Sequence, residues 1–220
     1  MAATEPRTAT LPSPRRYDRD SFEFGRVANL SDGVFAIAMT LLVLGLDVPA
    51  MGEAPLAALL RERIPNLFAF VLGFVLVANM WLAHHKFVSQ LSSFEPALMR
   101  LNLLFLGAVA LVPFPTGLVG AAPHERAAVL PFIFLFIVLN GVFLAMIARA
   151  HARQAWRWPL SRTMYRWVRL GWLAALAGMT IALLVALWIP VAGLVVAALH
   201  GTVTDRVILR RAPSGYDDWA

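Results

Sequence analysis

Long apolar runs separated by short polar segments dominate the chain. Four runs, at about 27–47, 66–85, 101–120 and 127–148, are each long enough to cross ~30 Å of hydrocarbon as a helix. A fifth apolar region, from Leu170 to Thr204, contains no Lys, Arg, Asp or Glu. Because this region is too long for one span and contains Pro190, where a helix tends to stop, it predicts two short spans. The pattern therefore predicts an all-α polytopic membrane protein with six transmembrane helices.

The composition agrees with a membrane protein and limits the chemistry. Of the 220 residues, 60% are hydrophobic and only 15% are charged, which is too little polar surface for a soluble domain of this size. The absence of cysteine excludes disulfides and thiolate metal sites. Residues 1–25 contain no apolar signal-peptide core, so we expect a flexible cytoplasmic tail there, a six-helix domain over 26–208 and a second cytoplasmic tail over 209–220.

The distribution of basic residues predicts the orientation. If the N-terminus is cytoplasmic, all but three of the 19 Lys and Arg residues fall on the cytoplasmic side, the three being Arg61, Arg63 and Arg126. Both termini are therefore expected to be cytoplasmic, in a multi-pass protein of the plasma membrane. The same bias explains the net charge of +6, so no nucleic-acid partner is inferred.

Polar residues of the first three predicted spans fall at one depth near the cytoplasmic side. This layer consists of Ser31, Asp32, Trp81, His84, His85 and Asn102, with Arg26 nearby. A carboxylate within a span faces the interior of a bundle and has a partner, and Arg26, His84 or His85 are the candidates for Asp32. We favour a structural network that holds the first helix against the second and third. A proton relay is the alternative; a metal site is disfavoured because adjacent histidines point about 100° apart on a helix.

An apolar stripe follows Asp32 along the first predicted span. Ile37, Thr40, Leu41 and Leu44 recur at i, i+3, i+4 and i+7, which is one face of a helix. Such a face most often packs against lipid or a neighbouring helix. It can also line a narrow pore that discriminates among ions by their cost of dehydration, and the residues alone leave both interpretations open.

The segment RVANLSDGVFAIAMTLLVLGL resembles the first-helix signature of the transmembrane protein 175 family of potassium channels. Arg26, Ser31 and Asp32 match its pattern, whereas Leu30 stands where the family usually has Phe. WLAHHKF is similar to the end of the family's second helix, and RLNLLFLGAVALVPF is similar to its third. The helix count and topology agree with the bacterial members over about residues 24–210.

The resemblance implies a leak-like, potassium-permeable channel. It implies a homotetramer in the membrane lipid with the first helix of each subunit around a central pore. Ile37 would form the main hydrophobic constriction, Leu41 and Leu44 would lie further out, and Thr40 would offer a hydroxyl to a partly hydrated ion. The polar network would consist of Arg26, Ser31, Asp32, Trp81, His84, His85 and Asn102. No TVGYG-like loop is present, so we expect modest K⁺ over Na⁺ selectivity, with K⁺ as the permeant ion and no cofactor.

Two other functions compete with a channel. A proton-coupled secondary transporter would use the Asp and His residues of the polar layer, and discontinuous helices near the middle of the membrane would favour it. The prolines of the spans lie toward predicted helix ends instead. An intramembrane enzyme is disfavoured because Ser31 has no histidine at a fixed spacing and no catalytic motif is visible, so we do not expect an enzyme.

The arginine-rich segment between the fourth and fifth spans, residues 148–169, is expected to lie at the anionic inner surface of the membrane. Regulation through lipid headgroups is a further hypothesis for it. The residues after Arg211 are expected to be disordered.

Overall fold

The computed structural model of the protein describes residues 16–46 and 55–216. Over these ranges the chain is almost entirely helical. Two short strands are β1 (Tyr17–Asp18) and β2 (Ser93–Phe94). The helices are α1 (Phe22–Leu41), α2 (Leu56–Glu62), α3 (Ile64–Gln90), α4 (Pro96–Leu111), α5 (Pro113–Ala121), α6 (Arg126–Ala152), α7 (Arg162–Ala186) and α8 (Pro190–Leu209), and a 3₁₀ helix at Leu42–Gly45 extends α1.

Five helical segments of the described chain are long and apolar enough to cross a membrane. They are Phe22–Gly45, Ile64–Gln90, Pro96–Ala121, Arg126–Ala152 and Arg162–Ala186, and a shorter apolar helix covers Pro190–Thr204. The predicted all-helical, multi-pass fold is confirmed, with a sixth helix shorter than the others. The break near Pro190 is where it was predicted.

The fifth segment starts earlier than its hydropathy predicts. Hydropathy predicts a start at Leu170, but α7 begins at Arg162 because the Ser161 hydroxyl accepts a hydrogen bond from the Met164 backbone N–H at 3.1 Å. Much of the predicted arginine-rich interfacial segment therefore belongs to the ends of α6 and α7, and only residues 153–161 connect the two helices. The short helix α2 had no signal in the apolar pattern.

The third span contains a proline junction and no unwound segment. Pro113 begins α5 in mid-span, further from the helix end than the sequence suggested. Val112, between α4 and α5, nevertheless has right-handed helical angles, with φ −55° and ψ −39°. The helical path thus continues through the junction, and the discontinuous backbone typical of transporter binding sites does not arise there.

α6 forms the centre of the bundle. Its side chains Phe132, Phe136, Leu139, Phe143 and Met146 are all at most 1% exposed. α1 packs against α3 and α4, whereas α7 packs against α6 and α8. α1 and the α7–α8 pair therefore lie on different sides of the bundle.

A small backbone network closes the end of the bundle where α1 begins. β1 pairs with β2 in antiparallel register, with Tyr17 opposite Phe94. The Ser92 N–H donates to the Ala155 carbonyl at 2.9 Å, and the Arg157 N–H donates to the Gln90 carbonyl at 2.7 Å. We call residues 17–19, 90–94 and 155–157 the collar. It joins the start of α1 to the α3–α4 loop and to the α6–α7 connector.

Arg19 ties the collar to the C-terminal end of α3. Its Nη1 donates to the carbonyls of Ser89 at 2.8 Å and Leu91 at 3.1 Å. These are helix-terminal carbonyls without an intrahelical partner, and a cation there also interacts favourably with the helix dipole. No pattern in the sequence singles out Arg19.

Both predicted tail boundaries require correction. Helix α1 starts at Phe22, inside the predicted 1–25 tail, because the Ser21 hydroxyl accepts a hydrogen bond from the Phe24 N–H at 3.2 Å. Residues 17–25 are therefore folded, while residues 1–15 lie outside the described residues. Beyond α8, Tyr216 is 7% exposed, so the described part of the expected C-terminal tail packs on the bundle; residues 217–220 lie outside the described residues.

Gly193 permits the close approach of α7 and α8, and replacing it with alanine is expected to destabilise the protein. A Cβ atom at Gly193 would lie 2.4 Å from the Ala186 Cβ and 2.8 Å from the Ala182 carbonyl oxygen. We expect a loss of about 1–3 kcal/mol, the usual cost of overpacking. Gly201→Ala, in the same helix, is the control because nothing lies within 4 Å of its added Cβ. Thermal unfolding in detergent should show a lower Tm for Gly193→Ala and an equal or higher Tm for Gly201→Ala; equal losses would contradict the role of Gly193.

Candidate functional site

α1 has one face packed into the bundle and one uncovered face. Its buried side chains Ser31, Phe35 and Ala38, with Leu42 of the 3₁₀ helix, recur at i, i+4, i+7 and i+11. This spacing keeps them on one side of a 3.6-residue helix, against α3 and α4. The opposite side of α1 is exposed in the described chain.

The four residues of the predicted stripe lie on the uncovered face. Ile37 is 60% exposed, Leu41 is 41% exposed and Leu44 is 70% exposed, and Thr40 is exposed between them. The structure therefore brings the stripe together on a surface that is free in the single chain. Its role in lining a pore stays a prediction.

The Thr40 hydroxyl is oriented by its own helix. Its Oγ1 donates to the Ile37 carbonyl oxygen at 2.8 Å. Because the hydroxyl proton is donated to a carbonyl of the same helix, the lone pairs of Oγ1 stay available as acceptors on the uncovered face. A cation passing along this face would meet an oxygen ligand there.

An asparagine that the sequence analysis missed holds the far end of this helix. Asn66, in the first turn of α3, donates from Nδ2 to the Gly45 carbonyl oxygen at 3.3 Å. Asn66 also contacts α5, since a Cβ at Gly120 would lie 3.0 Å from its Nδ2. A polar side chain near the end of an apolar span was the available signal. Asn66 and Arg19 thus fix opposite ends of the uncovered helix.

Three residues of the predicted polar layer form one buried chain of hydrogen bonds. Asn102 Oδ1 lies 2.7 Å from His84 Nε2, and Asn102 Nδ2 donates to Ser31 Oγ at 3.1 Å. Ser31 Oγ donates in turn to the Val27 carbonyl oxygen at 2.9 Å. All three side chains are at most 1% exposed. These hydrogen bonds connect α1, α3 and α4 and hold the three helices together.

The directions of these hydrogen bonds disfavour proton transport along the chain. An amide oxygen only accepts, so His84 Nε2 carries the hydrogen and donates it to Asn102. The last donor is the Ser31 hydroxyl, and it ends at a backbone carbonyl of its own helix. A proton relay needs a titratable group at each end, and the hydrogen-bond chain from Ser31 to His84 has a titratable group only at His84.

Asp32 has a different partner from those that the sequence suggested. Trp81 Nε1 donates to Asp32 Oδ1 at 3.0 Å, and within the described chain no ion pair joins Asp32 to Arg26, His84 or His85. Arg26 lies six residues before Asp32, roughly 120° away around the helix. The guanidinium of Arg26 lies 5.8 Å from the Phe22 ring, and the ring of His85 lies 5.6 Å from that of Trp81.

The residues of the predicted polar layer therefore form two separate groups. The buried chain Ser31–Asn102–His84 is internal to the bundle, whereas the Asp32–Trp81 pair is at its surface, with Asp32 exposed. An exposed carboxylate within a span is costly in lipid. The surrounding of Asp32 must therefore be water or another protein chain.

Replacing Asp32 with alanine is expected to impair assembly more than permeation. Asp32→Asn retains an oxygen that can accept from Trp81 Nε1, whereas Asp32→Ala leaves that indole N–H without its partner. Size-exclusion chromatography should give a reduced assembled fraction for Asp32→Ala and a nearly normal one for Asp32→Asn. A stable, fully assembled Asp32→Ala protein with altered ion selectivity would contradict the anchoring role.

Comparisons with known proteins find matches that include this helix. The family model described as "Endosomal/lysosomal potassium channel TMEM175" matches residues 26–113, which include α1, α3 and α4. A protein from Streptomyces collinus named "Potassium channel" is 41% identical over 142 residues, covering 64% of this chain and 66% of the relative. A human protein named "Endosomal/lysosomal proton channel TMEM175" is 30% identical over 143 residues, covering 59% of this chain and 28% of the human protein.

A solved structure has the same fold over most of the chain. It is the crystal structure of a lysosomal potassium-selective channel TMEM175 homolog from Chamaesiphon minutus, with a TM-score of 0.63 and 28% sequence identity. The match covers 83% of this chain and 98% of that structure. The helical arrangement around α1 is thus shared with a solved channel, although the chain spans slightly less than two thirds of the Streptomyces relative's length.

Proposed function

Because the chain belongs to the TMEM175 family, we propose that it is a leak-like, potassium-permeable ion channel whose pore is lined by α1. Four copies surround the pore as a homotetramer, since a single α1 cannot enclose a water-filled path. K⁺ is the permeant ion, with a modest preference over Na⁺, and no cofactor is required. The names of the bacterial relatives support the choice of ion.

The uncovered face of α1 is the observation that carries this proposal. It combines the exposed hydroxyl of Thr40 with the exposed apolar side chains of Ile37 and Leu44, and the exposed Asp32 lies at its margin. A carboxylate on a face that contacts only lipid would be strongly unfavourable, because burying its charge in hydrocarbon costs free energy. A face turned toward a narrow aqueous path accommodates both kinds of side chain.

Selectivity follows from dehydration at the apolar constriction. A ring of four Ile37 side chains forces an ion to give up part of its hydration shell, and K⁺ loses water at a lower cost than Na⁺. Thr40, one turn further along, offers an oxygen that replaces part of the lost hydration. Because no fixed cage of carbonyls is present at α1, the preference is expected to be modest.

The orientation proposed for the channel has both termini in the cytoplasm and the protein in the cell membrane. The excess of arginine at the collar end supports it, since Lys and Arg collect on the cytoplasmic side. In this orientation Asp32 lies near the inner mouth of the pore and Leu44 lies toward the outer mouth.

Ion flux into proteoliposomes tests the proposal. Purified protein is reconstituted in vesicles, and flux is driven in parallel by K⁺, Na⁺ and Cs⁺ gradients. We expect rapid K⁺ flux that saturates little, exceeds Na⁺ flux and needs no proton gradient. Slow, saturable flux that depends on a proton gradient would favour the secondary transporter instead.

Proton permeation is the second candidate, because the human relative is named a proton channel. It requires water along the uncovered face of α1 and does not use the buried Ser31–Asn102–His84 chain. A pH-sensitive dye inside the same vesicles measures it under a K⁺ diffusion potential. A dye response that survives His84→Gln would place the proton path along α1; its loss in a stable His84→Gln protein would implicate the polar layer.

A further inference from the structure

The longest part of the chain without a carboxylate contains a cluster of arginines at the collar end. Residues 126–204 include seven arginines and no Asp or Glu, and six of the seven lie between Arg149 and Arg169. Arg149 and Arg153 both form ion pairs with Glu95, the latter at 3.6 Å. The other four are exposed and have no carboxylate partner among the side chains that the structure describes, and we call them the arginine surface: Arg157, Arg162, Arg166 and Arg169.

The four residues of the arginine surface are held close together. Arg162, Arg166 and Arg169 recur at i, i+4 and i+7 on α7, so their side chains share one stripe about 10 Å long. Arg157 is in the connector, which packs against α7: Trp156 of the connector and Trp172 of α7 line the same cleft. The connector is itself held in place by the Arg157 N–H hydrogen bond to Gln90.

Such a cluster favours an anion. Like charges within one or two helical turns repel one another, and the repulsion is strong near a membrane, where the dielectric constant is low. The positive end of the α7 dipole adds to the potential, since Arg162 is the first residue of that helix. Glu95 supplies one negative charge and is already shared by Arg149 and Arg153, so no carboxylate among the described side chains balances the arginine surface.

The aromatic residues around the cluster indicate a membrane component as the anion. The Arg157 guanidinium lies 5.3 Å from the ring of Trp158, which is 58% exposed, and the Arg169 guanidinium lies 5.7 Å from the Tyr165 ring. Trp and Tyr are typical of the headgroup level of a bilayer. The adjacent cleft, which Phe87 and Phe143 help to line, is mainly apolar.

We propose that the arginine surface is a binding site for the headgroup of an anionic phospholipid. Basic clusters at the end of a membrane helix bind such headgroups. The site is on α7, on a different side of the bundle from α1, so the neighbouring pore subunits do not need to cover it. It is independent of the ion that the protein conducts.

The bound lipid has a direct mechanical connection to the start of α1. The connector that carries Arg157 is part of the collar, in which Ser92 bonds to Ala155 and Arg19 bonds to Ser92. A headgroup that neutralises the arginine surface is therefore expected to stabilise the folded collar as well. This gives a binding readout that does not depend on ion flux.

Lipid-dependent thermal stability and native mass spectrometry of the full chain in detergent test the site. The additives are phosphatidylglycerol, phosphatidylcholine and inorganic phosphate. We expect phosphatidylglycerol to raise the Tm of the wild-type protein and to remain bound in the mass spectrum, because a ligand of the folded state stabilises it by mass action. Phosphatidylcholine and phosphate should have little effect; an equal shift with either would overturn the assignment to an anionic lipid.

Charge-removing variants locate the binding. The variant R157Q/R162Q/R166Q/R169Q should lose the phosphatidylglycerol shift and the retained lipid. The milder R162Q/R166Q variant should lose part of both and serves if the first does not fold. The matched control is R61Q/R126Q, which removes two exposed arginines away from the arginine surface and should keep the full shift. An undiminished shift in R162Q/R166Q, or an equal loss in R61Q/R126Q, would overturn the proposal.

Discussion

Replacing Ile37 with asparagine is expected to raise K⁺ flux several-fold and to bring the K⁺/Na⁺ flux ratio close to one. Ile37 is the most constricting apolar position proposed on the uncovered face of α1, where it is 60% exposed in the single chain. An amide in its place holds water in the narrow part of the pore, so a passing ion keeps more of its hydration shell. The energetic difference between K⁺ and Na⁺ at this point then largely disappears. Flux into proteoliposomes under matched K⁺ and Na⁺ gradients measures both quantities.

Ile181→Asn is the matched control for this substitution. Ile181 is 54% exposed and lies on α7, on a different side of the bundle from α1, so the same polar side chain is introduced into an equally apolar surface. Flux and selectivity should stay at the wild-type level in Ile181→Asn. Unchanged currents in a correctly assembled Ile37→Asn protein would remove Ile37 from the pore.

Replacing Asn102 with leucine is expected to cause the largest loss of stability of any substitution considered for this protein. The amide of Asn102 accepts from His84 and donates to Ser31, and all three side chains are buried. Leucine fills a similar volume but leaves the His84 N–H without an acceptor and removes one of the two hydrogen bonds of the Ser31 hydroxyl. Each buried group without a partner costs about 1–3 kcal/mol. A Tm roughly 5–15 °C below that of the wild type is expected by thermal unfolding in detergent.

Asn140→Leu separates this effect from the general consequence of removing a buried amide. Asn140 is 1% exposed on α6, but its Nδ2 donates only within its own helix, to Phe136 at 2.7 Å. Its Oδ1 is buried without a partner in the described chain, so leucine there removes an unsatisfied acceptor. The Tm of Asn140→Leu should equal or exceed that of the wild type. A loss in Asn102→Leu no larger than in Asn140→Leu would show that the chain from Ser31 to His84 does not clamp the three helices.

The spans were predictable because hydropathy acts over whole helices. Runs of about 20 apolar residues have few alternatives to crossing a bilayer, and the break at Pro190 follows from a backbone nitrogen without a hydrogen. Helix ends depend instead on single local contacts. Ser161 starts α7 eight residues before Leu170, in a segment whose arginines conceal it from a hydropathy average.

The members of the polar layer were predictable, but their pairing was not. The rise per residue of a helix is enough to calculate the depth of each side chain in its span, and it puts Ser31, Asp32, His84 and Asn102 at one level. Which side chains meet depends on the rotation of each helix about its axis. That rotation brings Asp32 next to Trp81 and His84 next to Asn102.

The collar had no signal in the sequence. β1 and β2 have two residues each and are more than 70 positions apart, so no alternating pattern marks them. The Arg19 contacts with α3 depend on the same long-range geometry. Short backbone pairings of this kind are fixed by the tertiary fold and not by local propensity.

A single-cysteine block of K⁺ flux tests the central claim, that α1 lines the ion path, most directly. The natural chain contains no cysteine, so Thr40→Cys introduces a single reactive thiol per subunit. We expect a membrane-impermeant, positively charged thiosulfonate to block K⁺ flux irreversibly in Thr40→Cys and to leave the wild type and Ile181→Cys unaffected. Full K⁺ flux through a Thr40→Cys protein whose thiol is shown by mass spectrometry to have reacted would contradict a pore lined by α1.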